Sequence, residues 1–188
     1  MSIEILCQGI PATYQHYVEP LLEVCPKVSL TRERVEEIKQ AVQEIIPRKL
    51  KELEYIHDPN KLSKRYLTGW GGESAVEALI GKQFVDFSVG HSKDYSYPDL
   101  LEAGYPVGVK TVTLGDFPLI MSPRRGLNDP QIIVVKETDQ DYYICGLAGS
   151  EAINEPSYFD RSFLVKDRRV REKGRKEAFF RFDQLTPL

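Results

Sequence analysis

Two apolar runs, QIIVVKE at 131–137 and YYICGLA at 142–148, are separated only by the residues TDQD. β-Branched and aromatic residues dominate both runs, and the polar tetrad between them predicts a tight turn joining two strands. A strand with one face in water alternates apolar and polar residues. These two are too apolar for that, so both are expected inside a sheet rather than at its exposed margin.

The rest of the chain supplies what such a sheet needs around it. FVDFSV (84–89) alternates Val85, Phe87 and Val89 against Asp86 and Ser88 and reads as a strand. YPDLL (97–101) and VGVKTVTL (107–114) read as two strands around the turn AGYP, and FFRFDQL (179–185) as a last strand. Upstream the period is helical. In SLTRERVEEIKQAVQEIIPRKLKELEYI, residues Val35, Ile38, Val42, Ile45, Ile46, Leu50 and Leu53 recur at helix spacing. Ser29 or Thr31 would cap this helix, and Pro47 is expected to kink or split it. HDPNKLSKRYLTGWGG (57–72) reads as a loop or broken helix. A second helix is expected from about Gly72 to Ile80, closed by Gly81. Short helices are expected within 12–23 and 150–155. The order of elements predicts an α/β or α+β domain with a mixed β-sheet flanked by helices. One domain spans 1–188, with a helical part at 1–68, a core at 70–148 and a basic extension at 149–188.

Bulk composition narrows the class. A chain of 188 residues with 41% apolar and 28% charged residues is expected to bury a core. No apolar run is long enough to cross a bilayer, and MSIEILCQGIP lacks the basic start of a signal peptide, so a cytoplasmic protein without membrane contact is expected. Cys7, Cys25 and Cys145 are far apart and form no CxxC, which predicts neither a disulfide framework nor a zinc site. Cys145 reads as a small core residue. The net charge of −3 hides an asymmetry. Between Arg161 and Arg181 nine basic residues face three acidic ones, about +6 on a remainder of about −9, the footprint of a polyanion partner. GxGxxG, P-loop, GxSxG and metal-type His pairs are all absent from the sequence.

One lysine stands out. Lys110 lies between Val109 and Thr111 in an apolar strand, where an ammonium is costly to bury. If the turn of the expected hairpin is centred between Gly104 and Tyr105, Asp99 lies directly opposite Lys110, with Cβ atoms about 4.5–5.5 Å apart. The pair could be a plain cross-strand salt bridge. Yet Pro98 weakens the first strand, and Gly108 leaves an empty slot beside the lysine on the same face. On the preceding helix, Ala75, Val76, Leu79 and Ile80 form the expected buried arc. Glu73 lies at its edge, able to reach the sheet, whereas Glu77 is expected to face solvent.

A helix glutamate, then PD, then a strand ending in xK resembles the pattern of the PD-(D/E)xK nuclease superfamily, carried here by Glu73, Pro98-Asp99 and Val109-Lys110. The likeness spans roughly 70–148. Gly108 stands where the family carries its second carboxylate, and some members move that group to the preceding helix, the place of Glu73. The resemblance implies a restriction endonuclease-like fold and a metal-dependent DNA nuclease. It implies Mg²⁺, with Mn²⁺ as a substitute, held by Asp99, Glu73 and the Val109 carbonyl, with Lys110 acting on the attacking water. The expected catalytic set is Glu73, Asp99 and Lys110. Phosphate contacts are expected from Lys64, Arg65, His91, Lys93, Arg124, Arg125, Arg168, Arg169 and Arg171. A homodimer is expected by family habit. The alternative is a nuclease-like domain that has lost cutting and binds DNA or protein.

Overall fold

The computed structural model describes residues 19–52, 58–88, 98–116, 119–121, 129–149, 177–179 and 185–188. The elements are α1 (Glu19–Leu22), β1 (Lys27–Ser29), α2 (Arg32–Glu52), α3 (Pro59–Ile80), β2 (Gly108–Thr113), β3 (Leu119–Met121), β4 (Gln131–Lys136), β5 (Asp141–Ala148) and β6 (Glu177–Phe179). β1, β5, β4 and β2 form a four-stranded sheet in that order, while β3 and β6 pair antiparallel with each other. β2 runs parallel to β4, and the other pairs in the larger sheet are antiparallel, so the sheet is mixed and the class is α+β.

The two apolar runs are the centre of this sheet. Residues 132–135 of β4 are all buried, as a strand covered on both faces requires. β5 departs from expectation: it alternates, with Tyr142, Ile144, Gly146 and Ala148 buried and Asp141, Tyr143, Cys145 and Leu147 half-buried. Its partner β1, a strand that the sequence pattern does not announce, covers its other edge.

α2 buries Val35, Ile38, Val42 and Ile45, and its stripe ends on Lys49. That lysine is fully buried and its Nζ meets Glu52 Oε2 at 2.7 Å. Thr31 caps the helix by accepting the Arg34 N–H at 3.2 Å. Pro47 does not split the helix, which runs through it to Glu52.

The segment expected as a loop before Gly72 is instead the first half of α3. Asp58 accepts the N–H groups of Asn60 and Lys61, Pro59 follows at the first turn, and Gly81 closes the helix in the left-handed conformation at φ 68°. The aspartate cap and the proline at N1 outweigh the glycines inside the helix. These glycines have a packing role. A Cβ on Gly71 would overlap the Tyr142 hydroxyl, and one on Gly72 would overlap Thr111. The helix therefore lies against β2 and β5 at a separation only glycine permits. This contact rotates the buried arc from the expected one: Trp70, Gly71, Gly72, Ser74, Ala75 and Val76 are buried, while Leu79 and Ile80 are exposed. Trp70 packs between Tyr66 and Phe87, with ring centroids 5.1 Å from each.

Two expected strands do not form. Residues 82–87 form no strand, because Phe84 and Val85 give their N–H groups to the Glu77 carboxylate and Asp86 accepts from Ser88. Residues 98–104 are turns rather than half of a hairpin, with Leu101 bonding back to Pro98 and Ala103 to Leu100. The described residues include no helix long and apolar enough to cross a membrane.

Candidate active site

Among the described residues β2 is the end strand of the four-stranded sheet, and Asp99 and Glu73 meet at its edge away from β4. Gly108 donates its N–H to the Pro130 carbonyl on the β4 side. Backbone groups of successive strand residues point to opposite edges, so the Val109 N–H and carbonyl face away from β4. Asp99 takes that N–H: its Oδ2 accepts from Val109 N at 2.6 Å. Leu100 in turn donates its own N–H to the Val107 carbonyl at 2.9 Å. The turn is thus stitched to the strand edge by Asp99 and Leu100. Asp99 does not pair across a hairpin with Lys110, because the hairpin's first strand is absent and the carboxylate binds the backbone of residue 109.

Glu73 reaches the same place from α3. It is half-buried, and burial first, then the charges of Asp99 and Glu77, raise its pKa to about 8 from an ordinary 4.5. Asp99 keeps exposed surface, yet the crowding around its carboxylate raises its pKa against the pull of the Val109 N–H. The structure therefore brings together the two carboxylates singled out in the sequence, close enough for one to disfavour ionisation of the other.

Lys110 is half-buried on β2, in register with Ile133. Side chains alternate along a strand, and Thr111 is the residue under Gly72, so Lys110 projects from the face opposite α3. The slot at Gly108 is not empty. Its register partner Gln131 fills it, and a Cβ on Gly108 would come within 2.6 Å of both amide atoms of that side chain. A neutral amide from the neighbouring strand thus stands where the nuclease pattern has its second carboxylate. Only its register in the parallel pair identifies it; nothing in the local sequence does.

Glu77 is the clearest correction. It is not solvent-facing: its side chain is 12% exposed, its Oε2 receives Arg34 Nη2 at 2.6 Å, and its Oε1 accepts from Phe84 and Val85 at 2.7 Å each. The signal is the distant Arg34, whose Nε also donates to Ser74 Oγ and whose guanidinium lies over Phe87.

Of the expected phosphate contacts, Lys64 and Arg65 are exposed on α3. His91, Lys93, Arg124, Arg125, Arg168, Arg169 and Arg171 lie outside the described residues, as does most of the basic segment. Among the described residues no three His, Cys, Asp or Glu side chains gather as a ready-made metal site. The acidic donors at the β2 edge are two carboxylates, with the Val109 carbonyl facing the same edge. Comparison with known protein families, curated proteins and solved structures finds no match for this chain.

Proposed function

We propose that the protein is a metal-dependent DNA nuclease with a restriction endonuclease-like core, acting at the edge of β2 away from β4. The observation that carries this reading is the convergence of Glu73 and Asp99 beside the Val109 backbone. Two carboxylates, one of which disfavours the other's ionisation, next to a carbonyl, form a set of hard oxygen donors suited to Mg²⁺ or Mn²⁺, which take one or two carboxylates and leave room for water and phosphate. Such a cation, when bound, supplies an activated water and offsets charge on the scissile phosphate. Asp99 and Glu73 would hold it, and the Val109 carbonyl would add a third oxygen. The Asp99–Val109 hydrogen bond fixes the carboxylate against the strand, so its free oxygen keeps one orientation. Lys110 would reach the reacting phosphate around the strand edge, orienting the water and balancing developing negative charge. Lys64 and Arg65 would hold the DNA backbone.

A second reading is favoured by one observation. The Gln131 amide fills the position at Gly108, and a neutral group there suits a nuclease-like domain that retains DNA or protein binding without cutting.

Plasmid DNA incubated with Mg²⁺ or Mn²⁺ and the purified protein separates the two. The nuclease reading expects metal-dependent nicking or linearisation, reduced roughly 100-fold or more in both Asp99→Ala and Lys110→Ala. DNA retention without cutting, weakening steeply with salt, supports the binding reading. Cutting that survives both substitutions ends the assignment of this site.

A further inference from the structure

We propose that Cys25 and Cys145 form a reversible disulfide, a redox modification site joining the segment before β1 to the centre of the sheet. The two residues are 120 apart in the chain, but the register of β1 on β5 makes them neighbours. Lys27 faces Tyr143 and Val28 faces Tyr142. Continuing that register outward puts Pro26 opposite Ile144, and the Ile144 N–H does donate to the Pro26 carbonyl at 2.9 Å. One residue further outward lie Cys25, in the bend before β1, and Cys145.

Its type matters. A residue pair bridged by N–H···O bonds alternates with a pair that is not, and in the latter the Cα atoms lie about 4.5 Å apart with side chains close. Pro26–Ile144 is a bridged pair, so a ladder continued one residue further would make Cys25–Cys145 a pair of the second type. That spacing falls within the range of about 4.4–6.8 Å that a disulfide spans without moving the backbone. β5 also bulges at this point: Ile133 pairs with Gly146 and Val134 with Ile144, so Cys145 is the extra residue, unpaired with β4. A bulge gives a side chain freedom to re-aim that a regular ladder withholds.

Both thiols are free and half-buried. Cys25 Sγ lies 3.0 Å from the Leu21 carbonyl and Cys145 Sγ 3.7 Å from the Tyr143 carbonyl, each within hydrogen-bonding reach. Interaction with the Cys145 sulfur pulls the Cys25 thiol below its usual pKa, while Cys25 and burial lift that of Cys145. Cys25 lies outside the strands and is assigned the role of attacking thiolate, with Cys145 inside β5 as the resolving thiol. With hydrogen peroxide as oxidant, the Cys25 thiolate attacks one peroxide oxygen, breaking the O–O bond and releasing hydroxide, to give a sulfenic acid. Cys145 sulfur then attacks the Cys25 sulfur and expels the oxygen as water. In sum two thiols lose two electrons and two protons, and peroxide becomes two waters. A small-molecule thiol reverses the bond by exchange.

The test uses the full chain carrying Cys7→Ala, which leaves one pair of cysteines. Treated with a small excess of hydrogen peroxide and then blocked with iodoacetamide, this chain is expected to lose about 2 Da without dimerising. A non-reduced peptide map should join the peptides containing Cys25 and Cys145. Closing so long a loop should raise the Tm by roughly 5–15 °C, and dithiothreitol should reverse the change. Adding Cys25→Ser should abolish the mass loss while leaving the reduced-state Tm near that of the parent. Alkylation of both cysteines after peroxide, oxidation of each to separate acids, or a disulfide-linked dimer would each overturn the proposal.

Discussion

Glu73 and Glu77 sit one turn apart on the same helix and live in opposite electrostatic worlds. Glu77 meets α2 and the segment after α3, which offer an arginine and two backbone N–H groups, and all three are bonded to it. Glu73 meets the edge of β2, where its charged neighbours are Asp99 and Glu77, both acidic, and no hydrogen-bond donor among the described residues is paired with it. A fold has an evident use for the first glutamate, since it ties two helices and a loop together. Among the described residues nothing offsets the second, which raises the free energy of the folded chain when it is ionised. A carboxylate shielded from water and without a described donor is where function is to be sought.

The strongest way to break this contrast is to remove Glu77. Glu77→Ala would leave the three-quarters-buried Arg34 side chain without its innermost carboxylate and strand the N–H groups of Phe84 and Val85. Breaking a buried pair by deleting one partner costs about 3–5 kcal/mol, and urea denaturation at neutral pH should show a loss of that size. A loss below about 1 kcal/mol would place Glu77 among ordinary surface ion pairs and erase the distinction.

What the sequence can reveal about these two residues follows from the range over which each signal acts. The apolar runs of β4 and β5, the stripe of α2 and the Gly81 stop are local patterns, and each stands in the structure where the chain places it. Glu73, Asp99 and Lys110 are singled out by their order along the chain, and the structure brings the first two together. Glu77 is misread because its partner Arg34 is 43 residues away and the helix projection assumes a core at Leu79 and Ile80. The failed strand at 84–89 is the same error seen from the other side. Period-two alternation describes side chains, while Glu77 takes the backbone donors that a strand would have used. The turn at 98–104 is misread because Asp99 bonds a backbone N–H ten residues on, which no spacing rule anticipates. Gln131 is invisible because only the parallel register of β2 on β4 puts it at Gly108.

A smaller effect is expected from Gly72, which holds α3 against β2 next to Glu73. In Gly72→Ala the new methyl would overlap Thr111 Oγ1, Cβ and Cγ2, forcing helix and strand apart. Overpacking of this kind costs about 1–3 kcal/mol. Thr111 Oγ1 is buried without a hydrogen-bond partner, so its loss should be cheap, and Thr111→Ala should recover part of the cost in the double variant. Strict additivity of the two substitutions would show that the helix does not rest on Thr111. The Arg34–Glu77 contact lies a turn further along α3 and should be untouched, which separates the two glutamates by a second route.

The smallest expected effect carries the sharpest sign. The Glu73 pKa is raised to about 8 from 4.5, so between these values the folded chain holds a proton that the unfolded chain has lost. The associated stability is complete below pH 4.5 and disappears as pH rises through about 8. Glu73→Gln keeps the shape of the protonated acid and has no charge to place beside Asp99. Its Tm should match wild type near pH 4.5 and exceed it above pH 8. The gain should be on the order of 1–2 kcal/mol, since a tenfold change in acidity corresponds to about 1.4 kcal/mol and contact with water screens part of the effect. A variant less stable than wild type at pH 9 would mean that the carboxylate has a cationic partner and belongs with Glu77 as a structural group. The same titration with Mg²⁺ reaches the proposed chemistry without any substrate. A cation held between Glu73 and Asp99 stabilises the ionised pair, so wild type should gain Tm from Mg²⁺ above pH 8 while Glu73→Gln gains little. Equal gains in both proteins would place the cation elsewhere.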